Sequence, residues 1–408
     1  MIAIHTGKPD GALQTYPERM SDPRLSKLAQ VLVKYSTRLQ KNDLVVIRGD
    51  TIGMPLVAAL YEEILRAGAH PTFWARMELH DEMLMEFGSA EQLSFTSPLT
   101  MNMAETIDAS ISYWAEVNTK NLSRYPSARA ALMQQGRKPF LKRFLQRAAE
   151  GKLRWVGTQF PTDASAQDAE MSLRQYQDFV FAAGLLHLPD PAAAWAQIFD
   201  RQELVRKYLQ GKRELHFHVP PHNGHDGTDL RVDVSAATWI NCGGHENFPD
   251  GEVFAGPSLP PKGFGVEGHV NYTFPAVYEG REVEGVRLVF RQGRVVEASA
   301  TRNQQFLLDM LDQDQGARNL GEIAIGTNYA IKDFSKNTLF DEKIGGTFHA
   351  AVGAGYPESG SSNESGLHWD MVCDLRQHHG LPGGTISADG EVFHQNGRFL
   401  NPAFPGND

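Results

Sequence analysis

A chain of 408 residues with 41% apolar and 22% charged side chains has the make-up of a folded globular protein, and it exceeds what one hydrophobic core usually serves. Its formal charge of −10 argues against a nucleic-acid-binding face, which needs clustered Lys and Arg. Cys242 and Cys373 are the only cysteines: one disulfide is possible, no framework is implied, and the usage fits a reducing cytoplasm and argues against a cysteine-rich zinc site.

The N-terminus, MIAIHTGKPDGAL, has no basic region followed by an apolar one, so no signal peptide is read there. No apolar run approaches the roughly 20 residues that span a bilayer. A cytoplasmic protein with no membrane and no nucleic-acid partner is expected. Residues 44–75 read as one βαβ unit: the β-branched run LVVIRGD, the helical period of MPLVAALYEEILRAGA, then the extended HPTFWARM. Helical patterns dominate from there to about residue 210. They include SPLTMNMAETIDASISYWAEV, with a strand inside it, then SARAALMQQGRKPFLKRFLQRAAEG and PAAAWAQIFDRQELVRKYLQ; a further strand is expected at KLRWVGTQ. The economical reading of 1–210 is an α/β domain with a mostly parallel sheet.

Beyond 210 the texture changes. Only 10 of the 38 glycines and 4 of the 15 histidines precede residue 211. Short extended runs alternate with Gly, Pro, Asn and Asp turns, and hairpins are expected around Gln292-Gly293 and Asn396-Gly397. Residues 211–408 are therefore expected to form a second, Gly-rich α+β domain.

Several familiar signatures are missing or misplaced. His245-Glu246 lacks the second histidine of HExxH, and neither a nucleophile elbow nor a P-loop occurs. The formal GxGxxG of Gly263 to Gly268 follows PSLPPK rather than a strand, and opens no helix.

The second half instead places acids and histidines in unusual settings. Glu252 follows an Asp-Gly turn in NFPDGEVFAGP. Glu322 begins a short strand backed by Ile323 and Ile325. His349 sits in an apolar, small-residue segment, with Tyr356 seven residues on. In GLHWDMV, strand alternation puts His368 and Asp370 on one face and Leu367, Trp369 and Met371 on the other. Such nitrogen and oxygen donors suit a dinuclear centre for Zn²⁺, Co²⁺ or Mn²⁺. Ordinary readings compete: Glu252 as a solvated hairpin charge, Glu322 as a surface carboxylate, His349 as a core histidine on a backbone carbonyl. GLHWDMV itself fits a pocket-lining strand or an edge strand with one wet face. Among the other candidates, His216, His218, His222 and His225 have metal-like spacing, but their flanks read as a loop. His378 and His379 read as surface residues and His394 as an exposed hairpin residue, while Glu342 reads either as an acid behind the site or as a helix-cap partner.

At NFPDGEVF, GEIAIGTN, NTLFDEKIGGTFHAAVGAGY and GLHWDMV, and also at VGTQFPTDASAQDAEMS (156–172), the chain resembles the metallo-aminopeptidases typified by aminopeptidases T and S. The matching stretches keep their order and spread from about residue 44 to the C-terminus. The resemblance implies a cytoplasmic homodimer acting on peptides with two divalent metal ions and a metal-bridging water. It places the metal ligands on Glu252, Glu322, His349, His368 and Asp370, and the active-site tyrosine on Tyr356. Glu252 or Glu322 would also move the proton, and Glu342 could take the substrate amine. The interval from His349 to His368 is shorter than the family's, and its YPESGSSNESG stretch is expected at the pocket entrance.

Two rivals remain. Ring-cleaving dihydroxypyridine dioxygenases resemble the same family and would use His349, His368 and Asp370 around one non-haem iron; retention of Glu252 and Glu322 favours the dinuclear hydrolase. A non-catalytic metal- or peptide-binding scaffold is the other, and the intact ligand set with Tyr356 argues against it.

Overall fold

The computed structural model describes residues 22–407 apart from Glu279. The expectation about a signal peptide falls outside the described residues.

The first half builds a parallel sheet from four strands: Leu44–Asp50, His70–Arg76, Ala109–Trp114 and Arg154–Gln159. A fifth, Asn247–Phe248, joins beside Arg154–Gln159 from the second half of the chain. In space the order is second, first, third, fourth, fifth. Helix Met54–Arg66 follows the first strand because Leu56, Val57, Leu60 and Ile64 form one apolar stripe, and a proline in its first turn needs no N–H partner. That stripe packs on Val45 and Ile47. Val46, pointing the other way, meets Met103, Ala104, Phe140 and Phe144 from helices Pro98–Thr106 and Ser127–Ala149. Helices thus cover both faces, as the βαβ reading requires.

The second half is mainly antiparallel. Eight strands form one sheet, with Glu214–Val219 and Thr228–Asp233 near its centre. Both expected hairpins are present, with positive φ at Gln292, Gly293, Asn396 and Gly397, the signature of two-residue turns that follow the sheet's twist. Another antiparallel sheet runs Ile240–Cys242, Glu252–Ala255, Leu320–Gly326, Thr347–Gly353, with His368–Trp369 and Val372–Asp374 both pairing the last of these.

Two large cores result, and neither is confined to one stretch of sequence. The antiparallel core takes Val205 and Leu209 from the last helix of the first half, Pro191–Leu209. The parallel-sheet core takes Phe248, Ile331, Leu339, Phe340 and Ile344 from the second half.

One expectation fails outright. His394 is fully buried, its ring edge-on to Phe399, and neither ring nitrogen has a hydrogen-bond partner. Burial along Glu391–Gln395 does not alternate: Val392 is exposed while Phe393 and His394 are both buried, because the register shifts between Ile386 and Ser387 on the paired strand, and this irregularity turns the imidazole inward despite its polarity. The histidine cluster is only half loop: His216 and His218 lie on the strand Glu214–Val219, and His222 and His225 face each other across a turn.

Candidate metal centre

Register explains how the acids and histidines meet. Ala324 pairs with Phe254 on one side and His349 on the other, and Gly326 pairs with Glu252. Cross-strand partners share a face, so Glu252, Glu322 and His349 project from the same side of the sheet. The opposite side, Val253, Ala255, Ile323, Ile325, Phe348, Ala350 and Val352, is core. Ala324 and Ala351 keep the polar side uncrowded, and Gly326 admits the Ile344 carbonyl, which a Cβ there would strike. A register shift between Leu320 and Glu322 centres on Gly321, where a Cβ would come within 2.4 Å of the Gly353 and Ala354 carbonyls. Gly251, just before Glu252, has φ +129° and packs on Asn328, where a Cβ would lie 2.7 Å from the Asn328 Cβ.

His349 Nε2 is 3.0 Å from Glu322 Oε1, 3.5 Å from Glu252 Oε2 and 3.8 Å from Asp370 Oδ1. His368 Nε2 is 3.4 Å from Asp370 Oδ1. All five side chains expected from the sequence therefore converge. Each histidine turns Nδ1 to a backbone carbonyl, His349 to Glu342 at 3.1 Å and His368 to Ala354 at 2.7 Å, which aims Nε2 into the cluster. Alternation in GLHWDMV resolves toward the pocket: Leu367, Trp369 and Met371 are buried in core, and Trp369 packs against Tyr278 and Phe306. Tyr356 stands edge-on to His368, with ring centroids 5.4 Å apart, and also contacts Phe254; its residue remains 46% exposed.

The charges show what the cluster lacks. Five buried or half-buried carboxylates, Asp250, Glu252, Glu322, Glu342 and Asp370, stand with one fixed cation, Lys343, whose ammonium is 3.0 Å from Glu252 Oε1, 3.8 Å from Asp250 Oδ1 and bonded to Glu342. Burial opposes protonation of His349, but the Glu322 hydrogen bond and the Glu252 and Asp370 charges raise it to about 9. Burial likewise opposes His368, and the Asp370 charge lifts it to about 10. Burial would raise Asp370, yet the His368 and His349 charges hold it well below the carboxylate range. Burial pushes Glu342 up to about 8 in spite of Lys343. Buried oxygens Glu252 Oε2, Glu322 Oε2 and Asp370 Oδ1 have no hydrogen-bond partner. Ligand atoms of Glu252, Glu322 and His349 lie within 4.8 Å of one another, as do those of Glu342, His349 and Asp370. Orphaned carboxylate oxygens, aimed imidazoles and excess buried negative charge fit divalent cations, which would displace the histidine protons.

A cleft of about 540 Å³ opens onto the cluster. Glu342, His368 and Asp370 line one end, and Trp114 and Gln159, at the carboxyl ends of two parallel strands, line the other. Residues 356–366, Tyr356 included, do not line it, contrary to expectation. Main-chain and side-chain bonds hold this strap down instead: Ser359 O accepts from Thr238 N and Gly256 N, and the Ser365 hydroxyl donates to the Asp314 carboxylate. Sequence reading missed Lys343 and Asp250. Their signals were a lysine inside the apolar-flanked LFDEKIGG and an aspartate two residues before Glu252.

A separate histidine–carboxylate group lies on the eight-stranded sheet, where His216 Nε2 is 2.8 Å from Asp229 Oδ1 and His218 stands beside them.

A family model described as thermophilic metalloprotease (M29) matches residues 21–399. Aminopeptidase 2 of Geobacillus stearothermophilus is 28% identical over 388 residues, covering 86% of this chain and 92% of its own length. Aminopeptidase T of Thermus thermophilus is 27% identical, with 84% and 87% covered. The solved structure of wild-type AmpT from Thermus thermophilus matches with a TM-score of 0.79 at 25% identity, over 93% of this chain and 99% of that one. Fold and cluster together define a metal-dependent hydrolase. The chain belongs to the M29 family of metalloproteases, and the expected kinship with the metallo-aminopeptidases of the T and S type is borne out.

Proposed function

We propose that the chain releases N-terminal residues from peptides at a two-cation centre held by Glu252, Glu322, His349, His368 and Asp370. The observation that supports this reading is the approach of Glu322 Oε1, Glu252 Oε2 and Asp370 Oδ1 to His349 Nε2, at 3.0, 3.5 and 3.8 Å, in a cluster where Glu252 Oε2, Glu322 Oε2 and Asp370 Oδ1 are buried without a hydrogen-bond partner. Zn²⁺, Co²⁺ or Mn²⁺ held there would polarise the scissile carbonyl and make a shared water nucleophilic near neutral pH.

The remaining work falls to side chains. The Tyr356 O–H donates a hydrogen bond to the oxyanion; burial, with the Glu322 and Asp370 charges, raises its phenol and keeps it a donor. Glu252 or Glu322 carries the proton from the attacking water to the leaving amine. Glu342, at the cleft end nearest the cluster, takes the free α-amine of the substrate. Lys343 fixes Glu252 through Oε1 and leaves Oε2 facing the centre. Among the described residues no helix is long and apolar enough to cross a membrane. Action on peptides in the cytoplasm as a homodimer is part of this reading.

The test is dialysis against EDTA followed by assay on an aminoacyl anilide. Activity should vanish and return with Zn²⁺, Co²⁺ or Mn²⁺, and Glu322→Gln should lose metal and turnover together. Metal-independent hydrolysis sinks the proposal, and iron content with O₂ consumption on a dihydroxypyridine would replace it.

A further inference from the structure

A second cleft, also about 540 Å³, lies in the first half of the chain, away from the cation cluster. Its floor is the carboxyl edge of the parallel sheet: Arg48 and Gly49 from Leu44–Asp50, Trp74 to Arg76 from His70–Arg76, and Ser112 to Trp114 from Ala109–Trp114. This is the sheet's topological switch point. From Leu44–Asp50 the chain moves to one neighbour, His70–Arg76, and then crosses to the other, Ala109–Trp114. The flanking helices pack on opposite faces, Met54–Arg66 against Val45 and Ile47, Pro98–Thr106 against Val46. Connections that diverge in this way open a crevice at the strands' carboxyl ends, where open α/β sheets hold ligands.

The crevice is chemically unfinished. Arg48, half-buried, lays its guanidinium 4.9 Å over the Phe140 ring, and among the described residues its side chain has no carboxylate, carbonyl or hydroxyl partner. Two more guanidinium groups line the same walls. Arg76 and Arg137 share Asp81, each at 2.8 Å, so the crevice lining holds three arginines and one carboxylate, already taken by two of them. Burial, with Arg76 and Arg137 close by, presses the Arg48 guanidinium below its ordinary pKa, the mark of a cation without a counter-charge. A planar, five-donor group left unpaired in a partly dry crevice is costly unless an anion joins it. The other walls are aromatic: Trp74 and Trp114, 40% and 42% exposed, and Phe95, 64% exposed. Volume and lining suit a small molecule with a flat apolar body.

We propose that this crevice is a second ligand site, taking a small organic anion whose carboxylate or phosphate is bound by Arg48 and whose flat apolar part lies against Trp74 and Trp114. The anion has two possible sources. Trp114 lines both clefts, which makes the C-terminal carboxylate of a peptide held at the cation centre one candidate; this source rests on the peptidase reading. A free aromatic acid or phosphate monoester is the other source and does not.

Calorimetry on the metal-loaded full-length protein, with hippurate, phenyl phosphate and inorganic phosphate as probes, tests the site directly. The two aromatic anions should bind more tightly than phosphate. Arg48→Gln should weaken them at least tenfold, and Arg48→Lys should restore part of the loss. Phe95→Glu, a change at an exposed rim position that places a carboxylate in the crevice, should weaken them as well. No binding, or binding unaltered in Arg48→Gln and Phe95→Glu as it would be for anions held only by the cations, overturns the proposal. The ratio of kcat/KM for a tetrapeptide over its C-terminal amide separates the sources. It should fall toward one in Arg48→Gln if the anion is the peptide's own carboxylate, and stay constant if it is a separate molecule. Binding is read without turnover, so loss of the peptidase reading would leave this site standing.

Discussion

Lys343 and Glu252 form an ion pair of 3.0 Å in the interior, with none of the lysine side chain exposed. The same ammonium serves Asp250 and Glu342, so one cation holds three carboxylates on the edge of the proposed centre. Neither element alone could keep its charge dry.

Lys343→Met should therefore destabilise the protein by about 3–5 kcal/mol, the usual result of removing one partner from a buried charged group. The loss should be greater after chelation than with metal present, because cations would offset part of the exposed carboxylate charge. Urea melts with and without EDTA measure both values. An equal loss in the two states would separate Lys343 from the cluster electrostatics.

Tyr356→Phe removes a hydroxyl and little packing, since the residue is 46% exposed. Turnover of an aminoacyl anilide should drop on the order of 10²-fold with KM and metal content nearly unchanged, as for loss of one oxyanion donor. A fall in metal content instead would make the tyrosine a structural support for His368, its ring neighbour.

Trp369→Ala should cost about 3–5 kcal/mol, because the ring is 1% exposed and packs on Tyr278 and Phe306. His368 and Asp370 flank it, so metal affinity should weaken in step. Trp369→Phe should lose much less of both, since the indole N–H has no hydrogen-bond partner to forfeit. Thermal melts and metal titration read the two effects separately.

His394 gives a pH prediction independent of the centre. Burial, with Arg398 nearby, depresses its imidazole from 6.5 to about 3 in the folded chain. Between those values the unfolded chain binds a proton that the folded chain refuses. Stability is full above pH 6.5 and is lost as pH falls toward 3, by ~1.4 kcal/mol per pH unit for this group. His394→Leu should flatten that slope and, by removing two unpartnered nitrogens, stabilise the fold near neutrality by about 1–3 kcal/mol. Unfolding free energies at several pH values measure it, and a slope identical to the parent's would show that His394 does not titrate in this window.

By itself the sequence determined the alternation of strand and helix from residue 44 to about 210 and the two later hairpins, while its resemblance to the metallo-aminopeptidases pointed to Glu252, Glu322, His349, His368 and Asp370. The elements follow from local physics: apolar period sets the element, Asn-Gly and Gln-Gly supply the positive φ of a tight turn, and alternation puts His368 and Asp370 on one face opposite Trp369. Only the tertiary structure decided which competing reading of each acid held. Glu252 and Glu322 lie seventy residues apart in sequence and share a face because of strand register and the shift at Gly321, which no local pattern encodes. Lys343 and Asp250 joined the cluster unannounced, and His394 went into the core, for the same reason. Whether a polar side chain is dry, and what then neutralises it, depends on which elements close over it, and that is settled by packing across the whole chain.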